Sequence, residues 1–549
     1  MHILESIRQT FYQTIVAACG IMADQCPPIT FDLNVDEQKQ QFGDISTNAA
    51  MVLAKVAKKV PREVAQLLID QFQHSAVAKI EIAGPGFINF FLTQEAFNQM
   101  VHDLGMQGEA FFKDHGTPRK NYNIEFVSAN PTGPLHIGHG RGAIIGDVLG
   151  NVLEFLGHTV VREYYINDAG NQIAKLGVSL KVRCQQIAGL DSALPEDGYA
   201  GVYMLDLARQ CVQEYGVAVL GEQGLFFQKY AVDHLLADIK HTLARYGVEY
   251  DVWFSEKTLH IDGSIGRAFT MLREHGYLFE QDGADWFRST AFGDDKDRVM
   301  RKASGEYTYV AADAAYLKNK VDRGFDVLVM TLGHDHHGYV ERLQGLRQAF
   351  GYASVSLETI LYQLVSMKSG GEQVRMSKRA GNIVTLADVI DTVGVDVARF
   401  FYLHKRAESP LEFDVELALK KTEENPVYYV HYAYVRTQSM LSRADTHAEL
   451  HAVTVHDAVY LGQAERLLIK KIVSLRELLA GIAYHHQTYL LAQYAIDLAT
   501  TFHRYYALHR VIDPTQINTT RARLLLVKTL GDTFVLVFQL LRISQPRSM

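Results

Sequence analysis

Tyr122-Asn123-Ile124-Glu125-Phe126-Val127-Ser128 reads as a strand, and a glycine-rich loop and a long apolar helix follow it at once. No other stretch restricts the possible folds as much. The segment has the partial alternation of a strand buried on at least one face. Ile144, Ile145, Val148, Leu149, Val152, Leu153 and Leu156 then recur at helical spacing until Gly157, which suits a C-terminal cap. A second strand is expected near residues 159–166. Strand, loop, helix and strand in that order begin a parallel α/β sheet.

The loop is Asn130-Pro131-Thr132-Gly133-Pro134-Leu135-His136-Ile137-Gly138-His139-Gly140. In isolation a His-x-Gly-His run is a turn with two surface histidines. At the mouth of a helix it also suits a polyphosphate, because unpaired N–H groups and the positive end of the dipole favour phosphate there. Gly138, Gly140 and Gly142 would let a ligand approach the backbone. His136 and His139 can add donors that strengthen as charge grows on phosphorus.

A chain of 549 residues is too long for one core and implies several domains. Its 48% apolar and 21% charged residues are those of an ordinary globular protein. No uninterrupted apolar run reaches membrane-spanning length, and Met1-His2-Ile3-Leu4-Glu5 lacks the order of a signal peptide. A cytoplasmic protein with no membrane contact is expected. Cys19, Cys26, Cys184 and Cys211 form no Cys-x-x-Cys pair, which argues for a reducing compartment and against structural zinc. The net charge of −8 would count against a nucleic-acid partner, but it is an average. From residue 501 onward, Arg504, Arg510, Arg521, Arg523, Lys528, Arg542 and Arg547 face only Asp513 and Asp532. A locally positive surface is therefore compatible with an acidic chain.

Five segments follow from the pattern. Residues 1–115 read as a small α+β unit, with Ser46 or Thr47 capping a helix that buries Ala50, Leu53, Ala54 and Ala57. Pro61 opens a further helix, and two strands flank Gly84-Pro85-Gly86. Residues 116–190 form the first half of the parallel-sheet domain, after a polar linker at 113–120. Residues 191–295 read as an inserted subdomain of amphipathic helices, for example over 204–215 and 229–246. Residues 296–390 resume the sheet with a strand over 326–330. Residues 391–549 are nearly all helical, and Leu468, Ile472, Leu475, Leu479 and Ile482 mark a bundle stripe. A second strongly apolar helix covers 524–541.

The second phosphate candidate is Arg375-Met376-Ser377-Lys378-Arg379, preceded by Ser369-Gly370-Gly371. A flexible basic loop of this kind can deliver Lys378 to a triphosphate and then release pyrophosphate. Paired with the histidine loop, it resembles the class I aminoacyl-tRNA synthetases. The runs Glu125 to Pro134, Tyr307-Thr308-Tyr309-Val310-Ala311-Ala312-Asp313 and Gly333-His334-Asp335-His336-His337-Gly338-Tyr339 are similar to those of the arginyl-tRNA synthetase family. So are Phe42-Gly43-Asp44, Ala83 to Asn89, Asn425 to Arg436, and the ending Ser544 to Met549. The resemblance spans essentially the whole chain.

It implies a Rossmann-like α/β catalytic domain with an inserted helical subdomain, an N-terminal α+β domain and a C-terminal all-α bundle. It also implies activation of arginine by ATP with Mg2+ and transfer to tRNA(Arg), by a protein expected to be a monomer. The catalytic residues would be His136, His139 and Lys378. Gly138, Gly140, Arg375, Met376 and Ser377 would join Lys378 around ATP, and Arg375 stands where the class usually has lysine. A guanidinium is planar and always charged, so its site needs carboxylates placed for forked hydrogen bonds and a flat surface. Glu125 and Asp313 are the candidate carboxylates, with Tyr309 packing beside them. Asn130 would hold the α-amino group, and His334 or Asp335 would complete the arginine or ribose contacts.

For RNA, the resemblance implies that Phe87 and Asn89 form a platform for an unpaired base of the D-loop elbow. Tyr428, Tyr432 and Arg436 would contact the anticodon loop, with Met549 at the terminus of that domain. At helical spacing, at least half of Tyr428, Tyr429, Tyr432 and Tyr434 belong in the core. Two rivals are another class I nucleotidyl-transferring enzyme and a non-catalytic RNA-binding paralogue. A different amino acid should replace Glu125 and Asp313 with neutral residues, and a paralogue would tolerate loss of His136, His139 or Lys378.

Overall fold

The computed structural model describes residues 2–20, 28–113, 116–334, 337–369, 372–374, 384–450 and 453–549. Asn121–Glu125 (β1) is the central strand of a five-stranded parallel sheet, followed by helix Ile137–Phe155 (α1) and Thr159–Ile166 (β2). Val252–Ser255 (β3), helix Tyr309–Asp322 (α2), Val327–Gly333 (β4), helix His337–Ala349 (α3) and Ser356–Tyr362 (β5) complete the unit. The strand order is β5-β4-β1-β2-β3, with every neighbouring pair parallel. Val327 and Val329 of β4 join the core on the α1 side, while Leu328 and Met330 join the core under α2 and α3. A sheet covered on both faces reads as an apolar run rather than a clean alternation.

The strand expected over 122–128 stops at Glu125. Val127 and Ser128 both take positive φ, 67° and 42°, and the Ser128 N–H donates to the Phe126 carbonyl at 3.0 Å. A tight turn with a β-branched residue in the left-handed region is strained. It turns the chain at the C-terminal edge of the sheet.

Helix α1 is buried over most of its length, and Gly138, Gly142, Gly146 and Gly150 recur about once per turn. A Cβ on Gly146 would lie 2.2 Å from the Phe126 ring, one on Gly150 2.8 Å from the Arg162 guanidinium, and one on Gly142 2.9 Å from Tyr362. The space beside Gly140 is likewise filled, by Leu386 at 2.5 Å and Tyr402 at 2.6 Å. Close packing is by itself sufficient reason for glycine at 140 and 142. Gly157 follows the helix with φ 96°, as its sequence position predicts.

Helices Val202–Tyr215 and Gly224–Arg245 pack with Asn171–Ile187 around a separate core that includes Leu176, Leu180, Met204 and Phe227. The chain then returns to the parallel sheet as β3, inside the range that reads as a helical insertion. Four half-buried residues carry no alternation by which to recognise that strand. An antiparallel sheet of Leu278–Gln281, Ala284–Phe287 and Arg298–Arg301 comes next.

The N-terminal unit has an antiparallel sheet in the order Asp32–Leu33, Ile45–Thr47, Phe87–Leu92, Val77–Ala83. Ser46 and Thr47 lie in a strand, from whose end the Thr47 hydroxyl accepts from the Ala49 N–H at 3.2 Å, at the first residue of the next helix. The Ser46 hydroxyl donates across the sheet to Asn89 Oδ1 at 3.0 Å, and Asn48 heads the helix Ala49–Ala57 without a capping bond from its own side chain. Pro61 does open its helix, Pro61–Gln71.

The C-terminal region holds Val395–Tyr402 (α4), Pro426–Ala444 (α5), Arg466–Val473 (α6), Leu475–His485 (α7), Tyr489–Leu508 (α8) and Ile517–Leu541 (α9). The expected bundle stripe runs through α6 and α7, with Leu468, Ile472, Leu475, Leu479 and Ile482 buried. By length and composition α9 is apolar enough to cross a membrane, a span longer than uninterrupted apolar runs reveal. Most of it is buried inside the protein, as the core helix of the bundle. Lys470 of α6 donates to Asp44 Oδ1 at 2.8 Å and so ties the bundle to the N-terminal unit.

Candidate active site

His136 caps α1 and His139 reaches back in a reciprocal box. The Gly138 N–H donates to His136 Nδ1 and the His136 N–H donates to His139 Nδ1, each at 3.1 Å. The two rings stack with centroids 3.7 Å apart and planes inclined by 22°. Because both Nδ1 atoms accept, the neutral rings carry their hydrogens on Nε2. Two of the amides at the helix mouth are thus used by the imidazoles. Anion binding here would draw on the Nε2–H groups and the helix dipole.

The chain after the Met-Ser-Lys run is stitched to this loop. The Ile137 N–H donates to the Val384 carbonyl at 3.3 Å, the Leu386 N–H donates to the Leu135 carbonyl at 2.8 Å, and His136 bridges Thr385. Val384 is only six residues beyond Lys378. Arg375, Met376, Ser377 and Lys378 themselves lie outside the described residues, as does Asp335.

At the end of β1, Glu125 is buried and already bonded. Lys320 Nζ donates to its Oε2 at 2.6 Å and the Ser128 hydroxyl donates to its Oε1 at 3.1 Å. Asp313 stands on α2, four residues after Tyr309. The Tyr339 hydroxyl donates to Asp313 Oδ1 at 2.8 Å, whereas Oδ2 is shielded from solvent and accepts no hydrogen bond among the described residues. Burial pushes the Asp313 carboxyl up to about 7, against the opposing pull of Tyr339 and Arg342. A buried, unpaired carboxylate oxygen is costly until a cation meets it. Tyr309 heads α2 and is 70% exposed, so it is a surface ring above Asp313 rather than core.

The described members of this set lie at one sheet edge, where Ser128, Lys320 and Tyr339 join them without having been singled out in the sequence. Lys320 lies seven residues after Asp313 on the same helix face, which was the available signal. Asn130 donates to Gln172 Oε1 at 2.8 Å, and His334 sits exposed just past β4.

The sequence-derived RNA residues lie away from this edge. Phe87 is 40% exposed at the start of its strand. Asn89 is buried, and its side-chain oxygen is taken by Ser46. On α5 the Arg436 guanidinium lies between the rings of Tyr432 and Tyr506, 4.5 and 4.6 Å from their centroids. Of the four tyrosines on that helix Tyr434 is buried and half-buried Tyr429 packs against the core, while Tyr428 and Tyr432 are half-buried outside it. Met549 is exposed at the terminus. Among the described residues no group of three or more His, Cys, Asp or Glu is placed to hold a metal ion.

Residues 101–401 match the family model for tRNA synthetases class I (R), catalytic domain. Residues 3–92 match the arginyl tRNA synthetase N terminal domain, and residues 430–549 the DALR anticodon binding domain. The chain is 41% identical to the arginine–tRNA ligase of Geobacillus thermodenitrificans over 99% of both chains. It is 40% identical to that of Bacillus subtilis over the full length of both. The solved Thermus thermophilus arginyl-tRNA synthetase matches with a TM-score of 0.78 over 99% of this chain and 100% of that one; at 20% identity this is a likeness of fold. With the relatives aligned end to end and the catalytic model covering more than half of its length, this chain belongs to the arginyl-tRNA synthetase family of class I.

Proposed function

We infer that this protein is an arginine–tRNA ligase. It joins the arginine carboxylate to the α-phosphate of ATP, releasing pyrophosphate. It then passes the arginyl group from the adenylate to the terminal ribose of tRNA(Arg), releasing AMP. The observation that carries this reading is the shielded, unpaired Asp313 oxygen beside Glu125, at the same sheet edge where stacked His136 and His139 head α1. The first feature asks for a cation and the second for an anion.

In this reading no side chain forms a covalent bond to substrate. The Nε2–H groups of His136 and His139 donate to phosphate oxygens as negative charge builds, and Lys378 neutralises the leaving pyrophosphate. One such donor is worth roughly 10²–10³ in rate. Asp313 pairs with the guanidinium and Tyr309 covers it. Asn130 holds the α-amino group. Mg2+ is assigned to the ATP phosphates rather than to a protein cage. Phe87 and the Tyr432–Arg436 face meet the tRNA elbow and the anticodon loop, respectively, in a cytoplasmic monomer.

Exchange of labelled pyrophosphate into ATP, run with each amino acid in the presence and absence of tRNA, tests the assignment. Exchange is expected with arginine plus tRNA. Exchange supported by another amino acid, or none with arginine plus tRNA, would sink it.

A further inference from the structure

Tyr309, Asp313, Tyr316 and Lys320 occupy one stripe of α2, running from exposed Tyr309 to buried Tyr316 and Lys320. The Lys320 and Glu125 side chains are only 1% and 7% exposed, and their 2.6 Å contact links α2 to the end of β1. Lys320 Nζ also lies 4.5 Å from the Tyr316 ring centroid. The neighbouring Glu163 is separately served by the Tyr316 hydroxyl at 2.5 Å and by Arg323 at 2.7 Å. Lys320 also lowers the Glu163 carboxyl through its charge, but its direct contact is with Glu125.

A carboxylate offers about four acceptor positions. Lys320 donates to Oε2 and Ser128 to Oε1, and the Tyr316 hydroxyl, which interacts with both glutamates, gives its hydrogen to Glu163, so Glu125 keeps acceptor capacity on both oxygens. A forked guanidinium donor requires that pattern. We propose that Lys320 is a positioning residue of the arginine subsite, holding the Glu125 carboxylate so that the acceptor capacity left on its two oxygens meets the substrate guanidinium. The proposal rests on the arginine–tRNA ligase reading. Lys320 also offsets the Glu125 charge, so Asp313 is the carboxylate left for the incoming cation. Arginine then fills both sites without two bare carboxylates having faced each other beforehand.

The test is steady-state aminoacylation by the full-length wild type, Lys320→Met and Lys320→Arg, varying arginine, ATP and tRNA separately at about pH 6.5 and about pH 8.5. Lys320→Met should raise the arginine KM by at least about tenfold and leave the ATP KM within about twofold. The rise should be larger at the lower pH, because a buried carboxylate stripped of its cation favours the protonated form. Asp313, Tyr316, Tyr339, Tyr165 and Tyr250 also face Glu125, and the wild-type profile carries their contribution as the reference. Lys320→Arg keeps the charge and should recover most of the arginine affinity. If Lys320→Met does not fold, Lys320→Gln supplies the same comparison.

A purely structural lysine would lower the melting temperature or kcat and leave the arginine KM and its pH profile at wild-type values, which overturns the proposal. Tighter arginine binding by Lys320→Met also overturns it, since the ammonium would then be competing with substrate. A wild type that cannot charge tRNA with arginine removes the ligase reading itself, an outcome distinct from a variant that matches the wild type.

Discussion

The Asp313 carboxyl holds its proton up to about 7 because burial penalises the charge, compared with 3.8 for an ordinary aspartate. Arginine needs the ionised form, so binding at neutral pH must expel that proton. The arginine KM should therefore fall as pH rises from about 6 to about 8, approaching tenfold per unit on the acid side. Asp313→Asn should abolish this dependence and raise the arginine KM about 10- to 100-fold, with the ATP KM nearly unchanged. Equal weakening of both substrates would move Asp313 out of the guanidinium pocket. The folding consequence has the opposite sense. The folded state keeps a proton that the unfolded chain loses, so stability contributed here is present at low pH and is lost between about 4 and about 7. Urea titrations should show Asp313→Asn more stable than wild type at about pH 8 and no advantage at about pH 4. Asp313 and Glu125 were legible in the sequence because carboxylates at these places answer a chemical need. Lys320 was not, since a lysine late in an amphipathic helix reads as solvated until its cross-sheet partner is known.

Helix α1 shows what element-level reading recovers and what it confuses. The strand, loop and helix order was plain from spacing, but its glycines have two purposes that sequence cannot separate. Gly146 is pressed against Phe126, a fully buried ring stacked on Tyr250 at 4.6 Å. Gly146→Ala would gain about 1 kcal/mol of helix propensity. It would also place a methyl 2.2 Å from that ring, and neither the sheet nor the stack has room to yield. Overpacking of this kind costs about 1–3 kcal/mol or more, so a net loss of stability is expected in thermal melts. Gly138→Ala should differ. Its Cβ would lie 3.0 Å from the His136 ring alone, so the stacked imidazoles would shift while the core stayed intact. Adenylate formation should drop with little change in melting temperature. A stable, active Gly146→Ala protein would mean that α1 does not seat on the sheet through its glycine face. The same limit hid β3 and the strand holding Ser46 and Thr47: short elements carry too few residues for a period, and their identity comes from the strands they join.

Across the whole molecule, the order of units was readable from shifts in composition, whereas the charges that fasten them were not. Asp147 of α1 is fully buried, and Arg399 of α4 donates to it at 2.5 Å from a position 252 residues away. Arg399 also donates to the carbonyls of Leu541 and Tyr246, each at 2.7 Å. Arg542, just past α9, approaches the same aspartate at 3.4 Å, and Arg162 of β2 at 3.8 Å. One carboxylate thus joins the helix headed by His136 to the sheet, to α4 and to the end of the bundle's core helix. Asn151, one turn further along α1, adds a hydrogen bond to the Leu540 carbonyl at 2.9 Å. Asp147→Asn keeps the shape but removes the charge, leaving the buried Arg399 without its anion. Breaking one side of a buried pair costs about 3–5 kcal/mol. The loss should be shared by the elements that meet there. Hydrogen exchange should quicken both in α1 and around residues 538–544, and kcat for aminoacylation should fall more than the KM for arginine or ATP, because the phosphate-facing histidines ride on α1. Faster exchange confined to the bundle, with α1 and kcat unchanged, would show that the histidine helix is held by the sheet alone. The acidic hub would then fasten the C-terminal domain without steadying the chemistry.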